Sequence, residues 1–138
     1  VLNGILGSRY PGLARGTDMA HILLIEQDEH SADIITRTLT HRGHQVQYTG
    51  EGLTGVSLAS QHHFDLVLLE LDLPDVRGFT AAALIKRLSS DLPVVAVTYQ
   101  TDSTTQHQAR TYGIDDLIPK PIEPRIFPDQ LAEYLPPG

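Results

Sequence analysis

From residue 21 to residue 135, short apolar runs alternate with stretches whose apolar residues recur at helical spacing. HILLIE (21–26) is a run of Ile and Leu closed by an acid. SADIITRTLTHRG (31–43) brings Ile34, Ile35 and Leu39 near one helical face, with Ser31 as a candidate N-cap and Gly43 as a candidate C′ residue. HQVQYT (44–49) alternates Val46 and Tyr48 with polar residues, as a half-exposed strand does. EGLTGVSLASQHH (51–63) reads as a helix loosened by Gly52 and Gly55. FDLVLLE (64–70) is a third strand. GFTAAALIKRLSS (78–90) places Ala81, Leu84, Ile85 and Leu88 on one stripe. PVVAVT (93–98) reads as a fourth strand, TTQHQARTYG (104–113) as a polar helix, DLIPK (116–120) as a fifth strand and DQLAEYL (129–135) as a final helix.

Five alternations of apolar strand and amphipathic helix predict an α/β fold with a doubly wound parallel sheet, covered on both faces. Crossovers in such a sheet are right-handed, and ligands bind at the carboxyl ends of the strands. Those ends gather Glu26-Gln27-Asp28, Glu70 with Asp72 beyond it, Thr98, and Lys120-Pro121. Carboxylates, a hydroxyl and an amine are thus expected at one edge.

Composition narrows the classes. The 138 residues are 41% hydrophobic and 20% charged, enough for one globular domain with its own core. The net charge of −7 argues against direct nucleic-acid binding. Cysteine is absent, which excludes disulfides and thiolate chemistry. No apolar run approaches the ~20 residues of a membrane span, so a cytoplasmic protein is expected. Residues 1–18 are rich in Gly and without periodicity. They read as an added leader or a linker, with Met19 a candidate start and residues 19–136 one domain. His41-x-x-His44 and His62-His63 suggest metal ligands. They fall at helix ends and loops with no Cys nearby, so no metal site is expected there.

Residues 20–135 resemble a response-regulator receiver domain, CheY-like and flavodoxin-like. ILLIEQDE resembles the acidic end of the first strand in that family, and DLVLLELDLPDVRG the phosphoacceptor strand and loop. VVAVT resembles the strand ending in a switch Thr, and GIDDLIPKPI the segment carrying a Lys-Pro pair. The resemblance implies a (βα)5 fold with strand order 2-1-3-4-5. It implies that Glu70 stands at the phosphoacceptor position, where the family has Asp. Glu26 and Gln27 stand at the acidic metal-binding positions, and Asp72 where a backbone carbonyl meets Mg²⁺. Thr98 and Lys120 match the phosphoryl-binding residues, Leu117 stands at an aromatic switch position, and Lys120-Pro121 is implied to be cis.

Three of these positions, Gln27, Glu70 and Leu117, depart from the family. Acyl-phosphate chemistry needs a carboxylate oxygen in line with the donor phosphorus and a metal on the oxygens. Glu is longer than Asp by one methylene, roughly 1.5 Å, and a displacement of that order costs ~100-fold in rate. Mg²⁺ demands near-octahedral oxygen ligation, to which Gln27 brings no charge. The departures favour a receiver-like interaction module that works without phosphorylation, needs no cofactor and binds Mg²⁺ weakly at best. One alternative is a working phosphoreceiver that uses Glu70 or Asp72. Another is a phosphatase, since Glu70-Leu71-Asp72 loosely resembles the D-x-D of haloacid dehalogenases, a family that needs Asp as nucleophile. The resemblance implies a protein partner (a histidine kinase, an output domain or another regulator) on the face of helix 4, strand 5 and helix 5. It leaves room for a homodimer and implies neither nucleic acid nor membrane as a direct partner. Asp115-Asp116 is expected to be a solvated turn pair beside that face.

Overall fold

The computed structural model describes residues 20–136. The leader expected at 1–18, with Met19, lies outside the described residues. The elements in order are β1 (His21–Ile25), α1 (Glu29–His41), β2 (Gln45–Thr49), α2 (Gly52–Gln61), β3 (Leu66–Leu69), α3 (Gly78–Leu88), β4 (Val94–Thr98), α4 (Ser103–Thr111), β5 (Asp116–Pro119) and α5 (Phe127–Gln130), followed by a 3₁₀ turn (Ala132–Tyr134). The five strands form one parallel sheet in the order β2-β1-β3-β4-β5, as expected.

β3 is apolar at every position, and β1 and β4 at all but one end, because both sheet faces are covered. Successive side chains point to opposite faces, so one strand feeds two cores. Leu23, Ile25, Val67, Leu69, Val94 and Ala96 enter one core with Phe79 and Ile85 from α3. Ile22, Leu24, Leu66, Leu68, Val95 and Val97 enter the other with Ile35 and Leu39 from α1 and Phe127 from α5.

Several local expectations are corrected. The N-cap of α1 is Asp28, not Ser31: its carboxylate accepts the Ser31 N–H at 2.9 Å and the Ser31 hydroxyl at 2.8 Å. Gly43 does follow the helix with a positive φ of 95°, the left-handed conformation that ends helices. Tyr48 lies on an edge strand and is exposed, although Val46 of the same parity packs inward. Gly55 in α2 also has a packing role. A Cβ there would collide with the Ile25 side chain, so its absence lets α2 lie close against β1. The buried stripe of α3 is Gly78, Ala81, Ala82 and Ile85 with Phe79. It sits one turn earlier than the pattern indicated, and Leu88 is left 52% exposed. The last expected helix is a four-residue α-helix followed by the 3₁₀ turn. Pro128 at the helix start offers no N–H, and the chain reaches Pro136 too soon for longer runs.

Candidate functional site

At the carboxyl edge, the order β2-β1-β3 sets Glu26 beside Glu70, since Ile25 and Leu69 are paired in register just before them. Lys120 arrives from the far side of the sheet. Its N–H bonds to the Thr98 carbonyl at 2.9 Å, and the Lys120-Pro121 peptide is cis, as the resemblance implied. The Lys120 ammonium then reaches both acids, Glu26 Oε1 at 2.6 Å and Glu70 Oε1 at 2.7 Å. Lys120 and Glu26 side chains are 4% and 2% exposed and that of Glu70 is 7% exposed.

The remaining carboxylate oxygens are also engaged. Glu26 Oε2 accepts the Asp28 N–H at 3.0 Å. Glu70 Oε2 accepts the Leu71 N–H at 2.6 Å and the Asp72 N–H at 3.3 Å. Gln27 commits its amide nitrogen, not its carbonyl: Nε2 donates to the Asp72 carbonyl at 2.9 Å. That orientation follows from chemistry, because a carbonyl can only accept. Thr98 is buried, and its hydroxyl oxygen accepts the Gln100 N–H at 3.2 Å. The Tyr99 ring centroid lies 5.5 Å from the Lys120 ammonium.

Electrostatics follow from this packing. Burial would lower the Lys120 pKa, but the hydrogen bonds and charges of Glu26 and Glu70 outweigh it, and the ammonium is held above its ordinary value. Burial raises Glu26, against the opposing pull of Lys120 and the Asp28 N–H. The cluster is one cation between two anions, so it carries a net −1 if all three are ionised.

In this arrangement the oxygens at the edge are engaged by protein donors. Mg²⁺ needs oxygens free to ligate at about 2.0–2.1 Å. Here the Glu26 and Glu70 oxygens already accept from protein N–H groups, and the Asp72 carbonyl faces an N–H of Gln27.

Two glycine and acid positions that sequence reasoning missed complete the edge. A Cβ on Gly78 would lie 2.5 Å from the Glu70 carbonyl oxygen, so only glycine lets the start of α3 press on the Glu70 segment. Asp75 in the loop after β3 accepts the Gly52 and Leu53 N–H groups, both at 2.8 Å, and caps α2 from a distance. The following glycine and the Pro-Asp pair were visible signals of a tight loop, but not of where the carboxylate would reach.

Leu117 lies away from this cluster. It is partly buried against the first core and lines an open groove of about 480 Å³ between α4 and β5, with Thr101, Arg110, Asp115 and Pro119. Asp115 and Asp116 are both exposed, as expected, but each also holds a partner. Asp115 accepts the Lys86 ammonium at 2.8 Å and the Val94 N–H at 2.9 Å. Asp116 accepts the Tyr134 hydroxyl at 2.9 Å, and burial together with that bond pushes Tyr134 up to about 12. They tie β5 to its neighbours. Among the described residues, no group of three His, Cys, Asp or Glu side chains is placed to hold a metal ion, and no helix is long and apolar enough to cross a membrane.

Residues 22–132 match the response regulator receiver domain. Over 105 residues the chain is 30% identical to the response regulator ArlR of Staphylococcus aureus, covering 76% of this chain and 48% of that protein. The chain spans less than half the length of the curated relatives it matches. Among solved structures, the Vibrio cholerae chemotaxis protein CheY4 superposes with a TM-score of 0.81 at 19% identity, covering 85% of this chain and 99% of that one. The receiver domain of the Pseudomonas aeruginosa sensor histidine kinase PA1611, solved with a magnesium ion coordinated in its active-site cleft, gives a TM-score of 0.77 at 22% identity, covering 83% and 96%.

Proposed function

The chain belongs to the response regulator receiver domain family, and within that family we propose that it is a protein-interaction module whose output does not depend on phosphorylation. One observation carries the reading: Lys120 holds Glu26 and Glu70 together while the Gln27 amide occupies the Asp72 carbonyl. The PA1611 receiver coordinates magnesium in its cleft; in this chain the Glu26, Glu70 and Asp72 oxygens at the carboxyl edge of the sheet are bonded to protein N–H groups. Phosphoryl transfer onto Glu70 would require breaking the ion pair with Lys120, freeing Oε2 from the Leu71 N–H and turning Gln27 away before a donor could approach in line. No catalytic turnover is assigned to the domain.

A partner, such as a histidine kinase, an output domain or another regulator, would meet the face of α4, β5 and α5. Arg110 and Leu117 line the open groove there. Glu70 stays in the buried cluster with Lys120 and supplies a constant charge in place of a switched one. A carboxylate carries one negative charge, against about −1.5 to −2 for a phosphoryl group.

The test is incubation of the full chain with acetyl phosphate or phosphoramidate and Mg²⁺, followed by intact mass. Wild type is expected to gain no adduct of about 80 Da. Gln27→Asp combined with Glu70→Asp is expected to gain one, because it restores two carboxylates of the family's length. An adduct on wild-type Glu70 or Asp72 establishes the working phosphoreceiver in place of this proposal.

A further inference from the structure

A basic groove lies on the opposite flank of the molecule from α4, between the C-terminal half of α1 and the segment before α5. It is open, about 440 Å³, and lined by Arg37, Thr38, His41, Arg42, Pro124 and Arg125. No acid lines it. The described residues hold eight Lys and Arg side chains, at 37, 42, 77, 86, 87, 110, 120 and 125, and three of the eight meet here. Of the other five, Lys120 is paired with Glu26 and Glu70 and Lys86 with Asp115, while Arg77, Arg87 and Arg110 are spread over α3 and α4 and do not share a groove. In the groove only Arg37 has an acid, Asp33, one turn back on α1 at 3.1 Å. Arg42 and Arg125 are exposed and have no carboxylate within ion-pair distance among the described residues. A chain of net charge −7 thus brings three guanidinium groups, two of them without a carboxylate partner, to one small surface.

We infer that this groove docks an acidic segment of a protein partner. Guanidinium groups recognise carboxylates through two parallel N–H bonds, which suits a short run of Asp or Glu side chains. At physiological ionic strength charges are screened over about 8 Å, so the local arginines govern a short segment. A long polyanion such as a nucleic acid instead lies across the acidic remainder of the surface and is repelled by it. A second groove of about 200 Å³ lies farther along α1 towards its N-terminus, where Ile34, Tyr99, Pro121 and Ile122 are among its lining. Both grooves are bounded by α1 and by residues 120–125. A polypeptide can present acids to one and apolar side chains to the other. An inorganic anion or a sugar-phosphate backbone offers nothing to the second.

Titration of the ¹⁵N-labelled full chain with a short synthetic peptide of Glu-Glu-Leu-Leu repeats tests this. Amide shifts are expected to cluster at residues 34–42 and 121–125, and affinity to fall as salt is raised above physiological strength. The pair Arg42→Gln and Arg125→Gln is expected to weaken binding at least about tenfold, with circular dichroism confirming that the variant is folded. Arg87→Gln, on α3, is expected to leave affinity unchanged. The inference is overturned if the shifts lie elsewhere, if the double variant binds as wild type does, or if a Lys-Lys-Leu-Leu peptide binds equally well. It is also overturned if inorganic phosphate alone, or a single-stranded RNA, gives the same shifts at lower concentration.

Discussion

Asp65 precedes β3 and Glu70 follows it, so one four-residue strand separates two carboxylates of the same formal charge. Asp65 accepts the His21 backbone N–H at 2.8 Å and faces the largely exposed His63 ring at 3.4 Å. Glu70 is sealed among Lys120, Glu26 and the backbone of its own loop. At the amino end of the strand water can replace any partner that is lost. At the carboxyl end a lost partner leaves a buried charge with nothing in its place. Position along the sheet, more than residue type, decides what each acid is worth.

Removing the shared cation is the severest way to break that contrast. Lys120→Met leaves Glu26 and Glu70 facing each other without a counter-charge. Breaking a buried pair by removing one partner costs about 3–5 kcal/mol, and guanidinium denaturation is expected to show a loss of that size. A loss under about 1 kcal/mol would mean that the cluster is solvated like Asp65.

Titrating the same ammonium is gentler, since the neutral amine keeps its shape and can still bond. The folded pKa of Lys120 is raised above its ordinary 10.5 by the two carboxylates. Its stabilising contribution is therefore complete below about pH 10.5 and is lost as pH rises through the folded value. Stability followed from pH 9 upward should fall more steeply in wild type than in Lys120→Met. Parallel curves would remove Lys120 as the cause.

Glu70→Gln sharpens the comparison further. It leaves Lys120 paired with Glu26 and removes the repulsion between the acids. It also forces one of two donors, the Lys120 ammonium or the Leu71 N–H, to lose its acceptor. The expected loss is about 1–2 kcal/mol, within the range for a buried unsatisfied donor, and melting experiments can resolve it. The mildest change is Asp65→Asn, which keeps an acceptor for the His21 N–H and alters only the contact with the largely exposed His63 ring. Its expected cost is below about 1 kcal/mol. If Asp65→Asn proves costlier than Glu70→Gln, burial does not rank these carboxylates.

Much of the fold was legible because parallel strands buried on both faces are apolar throughout, and short runs such as LVLL stand out. The α3 stripe was misplaced by one turn because Gly78 and Ala82, which carry little apolar signal, occupy the buried face, while Leu88 satisfies the period without being buried. At the site, the resemblance placed Glu70 and Lys120 at one edge, at the phosphoacceptor and phosphoryl-binding positions. That Glu26 takes the same ammonium depends on strands 1 and 3 being neighbours, a fact of topology rather than of local sequence. Gln27 stands at a position where the resemblance implied a metal-binding acid, with an oxygen to offer. Its nitrogen is used instead, because the nearest backbone group is a carbonyl. The partners of Asp115 and Asp116 lie on α3, β4 and the final turn, out of reach of any local pattern.

Asp75 has a consequence for how the molecule breathes. Its two oxygens hold the first amides of α2, 22 and 23 residues earlier in the chain. Loosening the loop uncaps the helix, and fraying the helix frees the loop, so residues 71–77 and the start of α2 open as one cooperative unit. A partner or protease that pries at this loop therefore works against the anchoring of a ten-residue helix as well. In a domain whose acid pair is already closed by Lys120, that shared hinge is a place where mechanical disturbance can pass from the loop after β3 to another element.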